Sequence, residues 1–165
     1  EEIRLTRHAW APDLHGGDVF WTLAVHDLTI VKHIIGRIPP PVKAWTRREG
    51  EVPVSLLAVL DDGIRVTLNI CARHPVRQVA VSLHGTQGVA AMGDPYAPHI
   101  VVQRADTRVE VPVDTTFPLL LELREFVGHL RGGAPPRCSL NEAREVTAAL
   151  LDLRREAGEK SPETT

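Results

Sequence analysis

The chain has 165 residues, 43% of them hydrophobic and 24% charged, and a formal net charge of -2. That size accommodates one domain with a real core and excludes two full ones, while the weak negative charge offers no electrostatic basis for nucleic-acid binding. No apolar run reaches the roughly 18 residues of a membrane span, because His26, Asp27, Lys32 and His33 break the longest candidate.

Residues 1 to 10 read as a first strand, and Pro12 with Gly16 and Gly17 marks a loop before a helix from about 18 to 35, with Asp18 placed to cap it. Pro39, Pro40 and Pro41 end that helix region and introduce an extended segment near 42 to 48. Asp61-Asp62-Gly63 is a hairpin signal between VPVSLLAVL and IRVTLNICA. In the second of these, Ile64, Val66, Leu68 and Ile70 alternate with Arg65, Thr67, Asn69 and Cys71, the period of a strand with one buried face. Further strands are expected at 79 to 85, after the turn Gly85-Thr86-Gln87-Gly88, at 100 to 104 and at 108 to 113. Arg73, His74 and Arg77 surround Pro75 and read as a solvated connection.

After Asp114 the period becomes helical, with Leu119, Leu120, Leu123, Phe126, Val127 and Leu130 on one face and Gly132-Gly133 as the stop. Ser139 and Glu142 form a capping box for a helix from about 140 to 156 that buries Ala143, Val146, Leu150 and Leu153. Residues 158 to 165 form a polar tail expected to be disordered, which leaves 1 to 157 as the domain. The order of elements predicts an α+β domain on a mostly antiparallel open sheet with helices packed on one face.

The segment GGDVFWTLAVHDLTIVKHIIG, residues 16 to 36, carries most of the functional information. At about 100° per residue, Thr22, His26, Thr29 and His33 fall within a sector of roughly 60°, while Phe20, Trp21, Ala24, Leu28, Val31 and Ile35 occupy the rest. A helix apolar nearly all round is normally buried, so its polar line is expected to meet polar groups of the domain or to face a cleft.

Gly16, Gly17, His26, Asp27, Ile35 and Gly36 resemble the C-terminal domain of the Gfo/Idh/MocA family, NAD(P)-dependent oxidoreductases acting mostly on sugars and polyols. The resemblance covers nearly the whole chain. It implies that His26 faces the substrate and exchanges a proton with the sugar hydroxyl being oxidised, with Thr22, Thr29, His15 and Trp10 bordering the pocket. Thr22 departs from the family, which has a carboxylate or amide there, and its hydroxyl is also suited to bonding back to the carbonyl four residues earlier. The resemblance further implies a homodimer or higher oligomer through the sheet face away from the helices, and a cytoplasmic enzyme.

The family's dinucleotide sits on a Rossmann domain with a Glu-Lys-Pro motif, which these residues lack; Gly85, Gly88 and Gly93 form no GxGxxG between strand and helix. No cofactor is therefore expected to bind this chain alone. NAD or NADP is implied for the complete enzyme, with a Rossmann domain joined in cis or supplied in trans. The absence of an initiator Met before Glu1 agrees with a fragment or an expressed domain.

A metal site is not expected, because His26 and His33 are seven apart rather than three or four. Cys71 and Cys138 make no metal spacing and are expected to be reduced thiols. The expected function is the substrate-binding and oligomerisation domain of a sugar or polyol oxidoreductase, inactive by itself. The alternative is a non-catalytic dimerisation or ligand-binding module that keeps the fold; a cofactor-independent lyase or isomerase using His26 lacks a second acid or base.

Overall fold

The computed structural model describes residues 1–12, 17–135 and 139–159. The first strand, β1 (Glu2–Trp10), leads to a helix that opens as a π-helical turn at Phe20–Ala24 and continues as α1 (Val25–Ile35). Seven strands follow: β2 (Pro41–Glu49), β3 (Val52–Asp61), β4 (Arg65–Cys71), β5 (Arg73–Gly85), β6 (Gly88–Met92), β7 (His99–Gln103) and β8 (Arg108–Pro112). Helices α2 (Pro118–Leu130) and α3 (Leu140–Glu156) close the chain.

The strands form one eight-stranded open sheet in the order β2-β3-β4-β1-β5-β6-β7-β8. Every neighbouring pair is antiparallel except β1 and β4, so the expected α+β architecture on a mostly antiparallel sheet is the one observed.

Strand alternation sets which face is covered. Ile3 and Leu5 of β1, Leu56, Ala58 and Leu60 of β3, and Val66, Leu68 and Ile70 of β4 are buried on one side. Against them lie Phe20, Ala24, Leu28 and Val31 of the first helix and Val146, Leu150 and Leu153 of α3. Each Leu, Ile, Val and Phe side chain among them contributes about 1.5–3 kcal/mol by leaving water. Ala143, expected among the buried residues, is exposed, because it lines an open hollow between the first turn of α3 and α1.

Asp18 holds the helix start as expected, its Oδ1 accepting from the amides of Phe20 at 2.9 Å and Trp21 at 3.4 Å. Its other oxygen pairs with the buried Arg154 of α3, whose guanidinium lies 5.1 Å from the Phe20 ring centroid. Gly36, at φ 76°, ends the helix in the left-handed conformation that glycine adopts without strain. At the other end of the chain, Ser139 Oγ accepts from Glu142 N at 3.2 Å, realising the predicted cap.

Two differences from the sequence reading concern what the sheet recruits. The segment around Arg73, His74 and Arg77 is strand, the start of the 13-residue β5, and not a loop. Arg73 pairs with Trp10 of β1, the register then shifts, and regular pairing resumes at Gln78 opposite His8, long-range partners that local sequence could not reveal. Helix α2 has the predicted apolar face, yet none of its residues is buried, and Leu119, Leu123, Phe126 and Leu130 all lie exposed. Just after α3, Glu159 is buried, accepting from Thr46 Oγ1 at 2.6 Å and pairing with Arg48 at 2.7 Å.

Candidate functional site

The candidate site lies at the end of the domain where β1 finishes and the first helix begins. The polar line on that helix runs along the side away from the sheet. Leu28 and Val31 point into the core, and the line lies on the opposite face, with His26 and His33 exposed and Thr22 and Thr29 partly covered. His26 is the outward-facing member of the line, while Thr22 and Thr29 bond to helix carbonyls and His33 meets Glu142 of α3.

The π-helical turn alters the geometry between Thr22 and His26. The Val25 amide reaches back five residues to the Phe20 carbonyl, so the regular step of about 100° does not hold across Phe20–Ala24. Thr22 Oγ1 donates to the Asp18 carbonyl at 2.7 Å, and Thr29 Oγ1 donates to the Val25 carbonyl at 2.8 Å. Both hydroxyl protons are spent on the helix itself. Thr29 lines a hollow between α1 and α3 with Val25, Leu140 and Val146, and His33 Nδ1 lies 2.9 Å from Glu142 Oε1 across the same seam.

Next to His26, Asp27 points the other way, down onto β1. It is 2% exposed, and Arg7 reaches its Oδ1 through Nε at 2.7 Å and through Nη2 at 2.6 Å. Asp27 Oδ2 is buried and has no hydrogen-bond partner among the described residues. Burial pushes the Asp27 carboxyl above its ordinary pKa, and the Arg7 guanidinium offsets this only in part. His26 moves the opposite way for an imidazole: partial burial and then the Arg7 charge hold it below its ordinary value, with Asp27 acting weakly against them. A neutral ring is therefore what His26 presents near pH 7.

Trp10, at the end of β1, is 64% exposed. Its neighbour in the pairing with β5 is Arg73, which donates to the carbonyls of Ala11 and Pro12 and to Glu49 Oε2 at 2.7 Å, tying the exit of β1 to the ends of β2 and β4. On the opposite face, the His8 and His74 rings stack with centroids 4.4 Å apart. His15 and Gly16 lie outside the described residues, as does Cys138; Cys71 is a free thiol. No group of three or more potential metal ligands occurs among the described residues.

The sequence reading missed Arg7 and Arg154. Both carried a signal: Arg7 continues the core-facing alternation Ile3, Leu5, and Arg154 follows Leu150 by four on the buried face of α3, so each needed a buried acid.

At the helix that follows β1, the Asp18 carboxylate occupies the free amides of Phe20 and Trp21.

No known protein-family profile matches the sequence, and neither does any curated protein. Solved structures do match in fold. UDP-N-acetylglucosamine 3-dehydrogenase GnnA from Acidithiobacillus ferrooxidans superposes with a TM-score of 0.83 at 19% identity, covering 94% of this chain and 52% of that one. GenD2 from gentamicin A biosynthesis, in complex with NAD, gives 0.76 at 17% identity over 96% of this chain and 53% of its own. An oxidoreductase from Agrobacterium radiobacter in complex with NAD+, L-tartaric acid and magnesium gives 0.75 at 16% identity, covering 95% of this chain and 54% of that one. The chain thus spans about half the length of the structures it matches. Its fold is the one found in Gfo/Idh/MocA-type oxidoreductases, consistent with their C-terminal domain.

Proposed function

We propose that this chain is the substrate-binding and oligomerisation domain of an NAD(P)-dependent sugar or polyol oxidoreductase, competent only with a dinucleotide-binding domain in cis or in trans. The observation that carries the reading is His26: an exposed imidazole near the start of the helix, kept neutral by its surroundings and by Arg7. Oxidising a hydroxyl requires that its proton be taken up, and a neutral ring with a pKa below neutrality suits that exchange. Trp10 lies at the same end and Thr22 and Thr29 extend along the helix; we assign these three to the pocket wall, with His15 joining them on the family resemblance alone. By itself the chain turns nothing over, since it holds no GxGxxG between strand and helix.

Oligomerisation is assigned to the sheet face away from α1 and α3, where Trp45 and Leu57 lie opposite each other, 50% and 45% exposed. Among the described residues no helix is long and apolar enough to cross a membrane; on the family resemblance alone we place the working enzyme in the cytoplasm. The test follows His26 ring resonances by NMR while glucose, myo-inositol and glycerol are added in turn. A sugar or polyol that shifts His26, and whose effect is lost in His26→Ala with the fold retained, supports the reading; no response to any of them refutes it.

Thr22 favours a second reading. Its hydroxyl proton is already committed to Asp18, so the position where the family carries a carboxylate or amide offers little to a reacting sugar. A non-catalytic module would bind ligand and still show no turnover when a functional dinucleotide domain is supplied.

A further inference from the structure

We propose that α2 is an exchanged arm: in a two-fold pair of these chains its apolar seam lies on the bare helix side of β7 and β8 of the second copy, which returns the same contact. The inference is independent of the chemistry assigned to the α1 site. It adds a second contact between copies to the one assigned to the face around Trp45 and Leu57.

Two surfaces of this chain lack a cover, and the first is on α2. Leu119, Leu123, Phe126 and Leu130 follow one another at steps of four, three and four, the spacing of a seam that packs into another element, and Leu120 and Val127 widen it. All six are between 41% and 69% exposed. The two partly covered residues of the helix, Leu121 and Glu125, lie on its opposite side, so the seam is turned away from the rest of the chain. Among the described residues α2 packs along no strand or helix of its own domain.

The second surface is on the sheet. Cross-strand partners share a face, and the pairings Leu83 with Ala90, Ala90 with Val102 and Val102 with Val109 carry the helix side of β5 outward to β8. Leu83 and Met92 still pack against the core under the helices. Beyond them Ile100 and Val102 are only partly covered and Val109 and Val111 are exposed; Val102, Val109 and Val111 line an open hollow with Arg104 and Thr107.

Dimensions and area select a second copy as the occupant. A 13-residue helix is about 20 Å long and a five-residue strand about 17 Å, so α2 fits along β7 and β8. Each surface is of the kind the other needs, yet α2 follows β8 after only five residues, 113–117, with its seam pointing outward. The chain leaves the two unmatched within itself, whereas a two-fold axis matches both at once and closes the assembly. At about 200 Å² for a large side chain, the seam exposes roughly 600 Å². Covered twice, it supplies about 1,200 Å² before the strips on β7 and β8 are counted, which reaches the size of a stable interface. Pairing seam with seam would leave both strips bare.

Sedimentation equilibrium of the full 165-residue chain tests this. The wild type is expected to self-associate, and Leu123→Glu with Phe126→Glu on the seam, or Val109→Glu on the strip, to halve the mass of the assembly while the far-UV circular dichroism stays that of the wild type. Leu123→Ala, which trims an exposed side chain and keeps helix propensity, is expected to weaken association about tenfold. Mixing the seam variant with the strip variant restores one of the two contacts, intact seam on intact strip, and is expected to return the paired mass. A wild type that is monomeric at NMR concentrations overturns the inference and gives the seam to a different domain; a mass unchanged in both variants overturns it as well. Dissociation of the seam variant alone, or a mixture that stays dissociated, overturns the exchange in favour of seam-on-seam pairing. None of these outcomes moves the His26 titration, which decides the reading of the α1 site separately.

Discussion

The buried pair Arg7–Asp27 joins the first helix to the centre of the sheet, and removing one partner should be far worse than removing both. Asp27→Ala leaves a guanidinium whose side chain is 15% exposed facing an apolar helix. Breaking a buried pair from one side costs about 3–5 kcal/mol, and the residual water contact of Arg7 argues for the lower end, about 3 kcal/mol. For a domain of this size that corresponds to a fall in Tm of about 6–12 °C. The double variant Arg7→Met with Asp27→Leu replaces the ions by shape-matched apolar groups and should recover most of the loss, giving a coupling energy of about 2 kcal/mol or more. Urea denaturation of the four proteins measures the cycle.

The pH dependence follows from Asp27 itself. Burial raises its pKa above the ordinary 3.8, so the folded chain holds the proton more tightly than the unfolded one. Its contribution to stability is fully present below the unfolded pKa and is lost as pH rises through the folded value. The double variant, lacking this group, should therefore gain on the wild type as the solution passes from acid to neutral. An Asp27→Ala protein within 1 kcal/mol of wild type by that assay, or a double variant as unstable as the two single losses combined, would refute the reasoning.

His26 should titrate below the ordinary 6.5 in an NMR pH series, and Arg7→Met should raise its pKa by removing a nearby positive charge. Because the folded pKa is depressed, the stability linked to His26 is present above the unfolded value and lost as pH falls through the folded one. Asp18→Ala removes both the cap on Phe20 and the partner of Arg154 and should cost about 2–3 kcal/mol, whereas Asp18→Asn, which still caps, should cost less; chemical denaturation distinguishes them. Gly88→Ala should destabilise by at least about 2 kcal/mol, since φ is 152° and a Cβ would stand 2.3 Å from the Gln103 carbonyl oxygen; a thermal melt reads it directly.

Wherever a residue's role depended on its near neighbours in the chain, the sequence was sufficient. The alternation at Ile64 to Cys71, the Asp61-Asp62-Gly63 turn and the Ser139 cap all came from spacing, because strand and helix periodicity are local properties of the backbone. The α+β architecture followed from their order. What periodicity could not decide was direction: a polar line on an apolar helix reads the same whether it meets a cleft or solvent. Only the packing of Leu28 and Val31 onto the sheet turned the line of His26 outward. The partners Arg7 and Arg154 lie 20 and 136 residues from the groups they meet, at Asp27 and Asp18. Such contacts exist because β1 sits between β4 and β5 and α3 returns over the first helix. Tertiary structure alone brings those charges together, and with them the electrostatics of the site.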